Sequence, residues 1–229
     1  MLSDCDTMAH GVQHRALFHI DPRFVIPDVL HMKLRVVGRL VYNLLLEFED
    51  FDVSAQVLNP SIPKEEYMDG FVELVRSCAA KFSLWKDENT WCFTSLTGDD
   101  ADLLLQKLPE KLKGELYSDT ETTVTETWTT LRSLLDPFTS NATDSSAENQ
   151  ACLEFLQRFI DLGKGPRRDY GKRRVTPYIH ILCHHAAQKH EEFKSLGWFS
   201  SQSLEKKKMT SSNTSTTREQ TNGTLLPTS

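Results

Sequence analysis

The sequence predicts a mainly helical α+β fold with a few short strands. Three observations support this fold class: a long apolar stripe begins after Asp28, further helical patterns follow along the chain, and two short apolar runs flank a polar turn near residue 87. With 229 residues, 39% of them hydrophobic, the chain is long enough to bury one well-formed core or two small ones.

The first 51 residues predict a lead-in followed by one strong helix. Residues 1–16 are polar and without a period, so we expect a flexible lead-in. The apolar runs 17–20 and 24–26 lie on either side of a turn at Pro22 and favour short buried strands. After Asp28, apolar residues recur at alternating steps of four and three, which is the helical period. These residues are Leu30, Leu34, Val37, Val41, Leu44 and Phe48.

The middle of the chain predicts more helices around one pair of strands. Pro63 fits the first turn of a helix that runs to about residue 80, and the runs 82–85 and 91–93 predict a hairpin. Thr97 and Asp100 have the spacing of a capping box that opens another helix. Two further helices are expected at 120–135 and around 152–159, the second ending at Gly163.

Charge and cysteine usage limit the class of protein. The formal net charge is −6, so the chain as a whole is not the strongly basic body typical of a stand-alone nucleic-acid binder. Five cysteines without a CxxC pair favour reduced thiols. No apolar run predicts a signal peptide or a membrane helix. We therefore expect an intracellular chain without a membrane partner.

A basic segment at 164–174 suggests contact with DNA. It holds six basic residues and one acidic residue between two predicted helices. Such a loop can neutralise backbone phosphates by releasing their counterions. The pattern is at least as typical of a solvated surface loop. The basic residues are Lys164, Arg167, Arg168, Lys172, Arg173 and Arg174.

The most specific pattern lies between Tyr178 and Lys207. His180 and His185 are five residues apart on an apolar segment with helical character, and Glu205 follows His185 by twenty residues. The stretch around Glu205 predicts a second helix. Beyond it, residues 209–229 are rich in Ser, Thr, Asn and Gln and predict a disordered tail.

These spacings, with the Ser-Leu-Gly-Trp-Phe sequence at 195–199, resemble the end of the catalytic core of the V(D)J recombination-activating recombinase and its transposon relatives. The segment 25–32 is similar to the second-aspartate segment of the same group. The resemblance implies a partial RNase H-like core, interrupted by a large helical insertion, in a family that cleaves and transfers DNA strands with three metal-bound carboxylates, the DDE triad.

The resemblance also implies roles for individual residues. Asp28 and Glu205 would hold Mg2+ or Mn2+ as the second and third carboxylates. His180 and His185 would help to bind a structural Zn2+, whose other ligands in the family are two closely spaced cysteines. This sequence has no such cysteine pair. In the family the first aspartate lies on an early strand of the fold, but nothing upstream of Asp28 supplies a full set of early strands, and Asp21 is too close to serve. We therefore expect a truncated, transposon-derived relative without enzymatic activity.

The resemblance also implies a domain organisation. DNA as a partner implies a nuclear location. The segments are a flexible lead-in at 1–16, a partial RNase H-like core segment at 17–51, a mostly helical insertion with the basic loop at 52–174, C-terminal catalytic-core helices at 175–208, and a disordered tail at 209–229.

Each of these residues also has a purely structural interpretation. An aspartate directly before a helix is a preferred N-cap, so Asp28 taken alone is more typical of a cap than of a metal ligand. Glu205 lies in a charge run typical of a solvated helix face. Cys183, His184 and His190 are weak substitutes for the missing zinc ligands. The alternative function is a non-catalytic helical interaction or DNA-binding protein.

Overall fold

The computed structural model describes residues 25–88, 90–141, 144–165 and 167–201. The predicted lead-in at 1–16, the predicted strand at 17–20, Glu205 and the predicted tail at 209–229 lie outside these ranges. Within them the chain forms seven α-helices and one two-stranded sheet. In chain order the elements are α1 (Val29–Leu58), α2 (Glu66–Ser77), β1 (Leu84–Asp87), β2 (Thr90–Phe93), α3 (Gly98–Lys111), α4 (Glu121–Leu135), α5 (Ser145–Leu162), α6 (Pro177–His184) and α7 (Ala186–Phe193).

The prediction of a mainly helical chain is confirmed. The predicted hairpin also forms, with β1 and β2 antiparallel and Trp85 opposite Cys92. The prediction of a strand at 24–26 is wrong for the two residues that the structure describes. Val25 and Ile26 have no regular secondary structure, and Val25 is exposed. A short run that ends at Pro27 has no ladder partner among the described strands. No helix in the described ranges is both long enough and apolar enough to cross a bilayer.

Helix α1 is the element around which the others pack. It is 30 residues long and contacts α2, α3, α4 and α6. Its predicted stripe is buried except at Leu34, which is partly buried, and Val37, Val41 and Leu44 are fully inaccessible. Because a stripe that covers this much of the helix must face several neighbours, α1 occupies the centre of the described fold.

A single hydrophobic cluster extends through the described helices from Val29 to Leu196. Trp128, Phe155 and Phe159 are fully buried within it. Burial of a side chain such as phenylalanine stabilises a fold by about 1.5–3 kcal/mol. Helix α5 carries two of these residues and contacts α4, α6 and α7, so it connects the middle of the chain to the C-terminal helices.

A buried polar pair fixes α7 against α5. The His190 ring is inaccessible, and its Nδ1 lies 2.9 Å from both carboxylate oxygens of Glu148. Its Nε2 lies 3.0 Å from the Ser140 carbonyl oxygen. Both ring nitrogens thus have polar partners inside the fold, as buried polar groups generally do. The pair positions the chain that continues to the turn Leu196–Phe199.

Two glycines allow the basic loop to return against the end of α5. Gly171 has a φ of +100°, a backbone conformation that L side chains rarely adopt. Its amide donates to the Phe159 carbonyl at 3.2 Å. A Cβ atom placed on Gly163 would lie 2.5 Å from the Gly171 nitrogen. The two backbones therefore meet without room for a side chain on Gly163.

Candidate functional site

Asp28 lies directly before α1 and contacts the far end of the described chain. Its Oδ1 accepts a hydrogen bond from the Leu30 amide at 2.9 Å, as an N-cap does. Its Oδ2 accepts one from the Ser201 hydroxyl at 2.7 Å. The His31 Nδ1 atom lies 2.9 Å from the same oxygen. Asp28 therefore both caps α1 and holds the chain that follows the turn Leu196–Phe199.

Hydrogen bonding keeps Asp28 in its charged form. Partial burial alone would raise its pKa, but the hydrogen bonds from Ser201 and His31 outweigh burial, so the pKa of Asp28 is below its ordinary value. Each donor favours the carboxylate over the neutral acid. Asp28 is therefore ionised at neutral pH, as both a cap and a metal ligand need to be.

The depressed pKa of Asp28 predicts a contribution to stability that depends on pH. This contribution is fully present above the unfolded pKa of about 3.9 and is lost as the pH falls through the lower, folded pKa. Asp28→Asn keeps a capping side chain but removes the charge. In urea unfolding, the wild type should exceed this variant in free energy of unfolding by more at about pH 7 than at about pH 3. An equal difference at both pH values would contradict the prediction.

Three histidines cluster at the end of α6. The ring centre of His180 lies 4.8 Å from that of His184 and 5.2 Å from that of His185. All three residues are exposed. The structure thus brings together the two histidines predicted to bind zinc and adds a third imidazole. Over the described ranges, no three His, Cys, Asp or Glu side chains stand in an arrangement that could hold a metal ion.

The other weak substitutes for zinc ligands have different roles. Cys183 is buried, and burial raises its pKa, so it is a neutral thiol at physiological pH. His190 is occupied by Glu148 and the Ser140 carbonyl. Of the three substitutes considered from the sequence, His184 is therefore the one that lies with His180 and His185.

Arg167, predicted to contact phosphate, lies inside the fold. Its side chain is 1% exposed and forms an ion pair with Glu47 of α1. It also hydrogen-bonds to the Thr120 hydroxyl and to the Tyr117 carbonyl. Burial lowers the pKa of Arg167 to about 10, so the guanidinium is still charged at neutral pH. Arg167 cannot reach a phosphate without leaving Glu47 unpaired.

Three more of the six basic side chains have acidic partners. Arg168 donates to Glu49 at 2.7 Å and also contacts Asp50 of α1. Arg174 pairs with Asp169 at 2.9 Å. Lys164 pairs with an aspartate at the end of α5. The Arg168 pairs attach the loop to α1, the Lys164 pair lies at the end of α5, and the Arg174 pair lies within the loop. Together they reduce the positive charge that the loop presents to solvent.

Lys172 and Arg173 are the basic residues of the loop that are exposed and form no ion pair with any described residue. They lie in the one-turn 3-10 helix Lys172–Arg174, shortly before α6. Beside the start of α6, the Arg35 guanidinium lies 5.9 Å from the centre of the Tyr178 ring. The charge available to a polyanion is therefore smaller than the sequence predicts and concentrated at Lys172 and Arg173.

A cleft of about 600 Å3 opens beside the N-terminus of α1, and the sequence interpretation missed it. Its lining includes Lys33, whose Nζ lies 2.8 Å from both carboxylate oxygens of Asp102, as well as Asp136 and Trp198. The sequence feature that could have pointed to this cleft is Lys33, because it is a charged residue on the buried face of α1. A lysine there needs an acidic partner.

The predicted site residues fall into separate groups. His180 and His185 lie together, and Lys172 and Arg173 lie together, whereas Glu205 lies outside the described ranges. Comparisons of the chain with protein-family models, curated proteins and solved structures gave no match. The sequence pattern and this geometry are thus the observations that bear on function.

Proposed function

We propose that this chain is a DNA-binding relative of the DDE transposases and recombinases that lacks strand-transfer activity. Asp28 and Glu205 are its remaining carboxylates for Mg2+ or Mn2+. The observation that carries the proposal is the 2.7 Å hydrogen bond between Ser201 and Asp28, two residues 173 positions apart in sequence. Glu205 follows Ser201 by four residues, so covalent geometry keeps their Cα atoms within about 14 Å. The length of this segment therefore permits the Glu205 carboxylate to approach Asp28.

The number of carboxylates limits the chemistry. Mg2+ prefers oxygen ligands and keeps several of its waters, so two carboxylates suffice for one ion. Strand cleavage in the family uses two ions, which activate the nucleophile and stabilise the leaving oxygen. Asp28 and Glu205 by themselves are therefore expected to hold one ion, which is fewer than strand transfer uses. The support for an RNase H-like origin is α1 after Asp28 together with the helices that precede Glu205.

Zinc at His180 and His185 is a second part of the proposal. The observation in its favour is that the ring centres of His180 and His185 lie 5.2 Å apart. Because no three potential ligands of the described residues stand in a metal-holding arrangement, the two histidines alone would bind the ion weakly. Replacement of either His180 or His185 by glutamine should therefore abolish Zn2+ binding.

The exposed pair Lys172 and Arg173 is the part of the surface best suited to phosphate. Both side chains reach solvent and neither is neutralised by an acidic neighbour in the described ranges. Counterion release at such residues drives non-specific DNA binding. DNA as the partner also implies a nuclear location, which is part of the same proposal.

The salt dependence of DNA binding tests the proposal. In the double variant Lys172→Gln/Arg173→Gln, the slope of log affinity against log salt should fall by about 2, because two phosphate contacts are lost. A matched double variant, Lys64→Gln/Lys81→Gln, removes the same charge from exposed positions outside the loop. It should leave the slope nearly unchanged. Equal effects of the two double variants would contradict a specific DNA surface.

The second candidate function is a non-catalytic helical interaction protein. The specific observation in its favour is that Asp28 already accepts hydrogen bonds from the Leu30 amide and the Ser201 hydroxyl. An aspartate used in this way needs no metal to explain it. Failure of the wild-type chain to bind duplex DNA at low salt would favour this candidate.

A further inference from the structure

The cleft beside α1 carries negative charge, whereas the basic loop carries positive charge. Lys33 is neutralised by Asp102, since its Nζ lies 2.8 Å from both carboxylate oxygens. Asp136 lines the same cleft and is exposed, and its carboxylate forms no ion pair with any described residue. Asp136 follows α4, where the helix dipole adds further negative potential. The cleft therefore favours a cation.

Trp198 also lines the cleft and offers it an exposed aromatic side chain. Its side chain is 81% exposed, although it belongs to the firmly anchored turn Leu196–Phe199. Leu196 is fully buried, and the Ser195 hydroxyl donates to the Thr139 carbonyl at 3.3 Å. The indole is thus held outward by a fixed backbone. Tryptophan is the best side chain for binding a cation over its ring.

Part of the remaining wall of the cleft is apolar. Val29, Leu30 and Leu135 contribute this part, beside the polar Thr139 and Ser200. An apolar wall suits the aliphatic stem of a long cationic side chain, while the charged end remains near Asp136 and Trp198. The volume of about 600 Å3 is larger than one side chain requires and fits a short stretch of polypeptide.

We infer that this cleft binds an arginine presented by a basic segment of a partner polypeptide. A guanidinium is planar, so it stacks on an indole and donates two parallel hydrogen bonds to one carboxylate. An ammonium has no planar face to stack on the indole and offers the carboxylate a single nitrogen. The complementarity lies between this planar cation and the pair formed by Trp198 and Asp136. The lining of this cleft does not include Lys172 or Arg173, and the inference goes beyond the proposed binding of DNA.

Titration of the full chain with three probes tests the inference. The first probe is a capped peptide with two arginines in a Gly/Ser background, the second is the same peptide with lysines, and the third is a single-stranded oligonucleotide. We expect saturable binding of the arginine peptide and weaker binding of the lysine peptide. Trp198→Ala and Asp136→Asn should each weaken binding of the arginine peptide by about five-fold or more.

Controls separate the cleft from general effects. Trp85→Ala removes another partly exposed tryptophan, on β1, and should leave the affinity unchanged. Unfolding midpoints of Trp198→Ala and Asp136→Asn should match the wild type, since both side chains are exposed. The Lys172→Gln/Arg173→Gln variant should bind the peptide normally, so that failure of the DNA proposal does not affect this test.

Two results would overturn the inference. One is the absence of saturable peptide binding, or binding to which Trp198 and Asp136 make no difference. The other is binding of the oligonucleotide that requires Trp198 and that the arginine peptide does not displace, because the cleft would then be a site for a nucleobase.

Discussion

Replacement of Arg167 by methionine is expected to lower the free energy of unfolding by about 3–5 kcal/mol. The reason is that the substitution leaves Glu47, the ion-pair partner of Arg167, without a positive charge beside it. Glu47 is 4% exposed at its side chain and would become an unpaired buried carboxylate. The variant also loses hydrogen bonds to the Thr120 hydroxyl and the Tyr117 carbonyl. Chemical denaturation at neutral pH measures the loss.

A double variant shows whether the unpaired charge is the cause. In Glu47→Leu/Arg167→Met both charges are absent, so most of the lost stability should return. The double variant should remain about 1 kcal/mol less stable than the wild type, because the Tyr117 amide loses its 3.0 Å hydrogen bond to Glu47. If the single variant lost less than about 1 kcal/mol, the pair would not be buried as described.

Gly163→Ala is the second change with a large expected effect. The new Cβ would lie 2.5 Å from the Gly171 nitrogen, and backbone atoms cannot move aside as the end of a flexible side chain can. Gly171 is itself held by its amide bond to the Phe159 carbonyl. We expect a loss of about 2–4 kcal/mol, at or above the upper end of what overpacking usually costs. Thermal unfolding is a sufficient measurement.

Gly165 offers a matched control in the same loop. A Cβ atom there would be 3.8 Å from the Leu162 carbonyl oxygen, which is an ordinary contact. Gly165→Ala should therefore leave stability unchanged or raise it by up to about 1 kcal/mol through the unfolded state. Equal losses in the two variants would mean that the approach of Gly163 to Gly171 is not the cause.

Local patterns predicted much of the fold. The stripe that begins at Leu30 predicted α1, and the spacing of Thr97 and Asp100 predicted a capping box that the structure contains. Both features depend on residues a few positions apart, so the sequence displays them directly. The strand expected at 24–26 failed because a strand needs a partner, and three apolar residues do not specify one.

The candidate site was less accessible to sequence reasoning because its contacts are distant along the chain. Arg167 and Arg173 belong to the same basic run, yet one is buried against Glu47 and the other is exposed. Composition alone cannot separate them. The hydrogen bond between Asp28 and Ser201 likewise joins residues that no local pattern connects. Asp28 as an N-cap, in contrast, was evident from its position before α1.

Titration of Mn2+ and Mg2+ into the full chain by isothermal calorimetry tests most directly whether Asp28 and Glu205 share a metal. We predict saturable binding that Asp28→Asn and Glu205→Gln each abolish. Asp144→Asn is the control, because Asp144 also caps a helix, with its side chain accepting from the Ala147 amide, and this variant should bind as the wild type does. Absence of binding, or binding that neither Asp28→Asn nor Glu205→Gln alters, would contradict the proposed metal site.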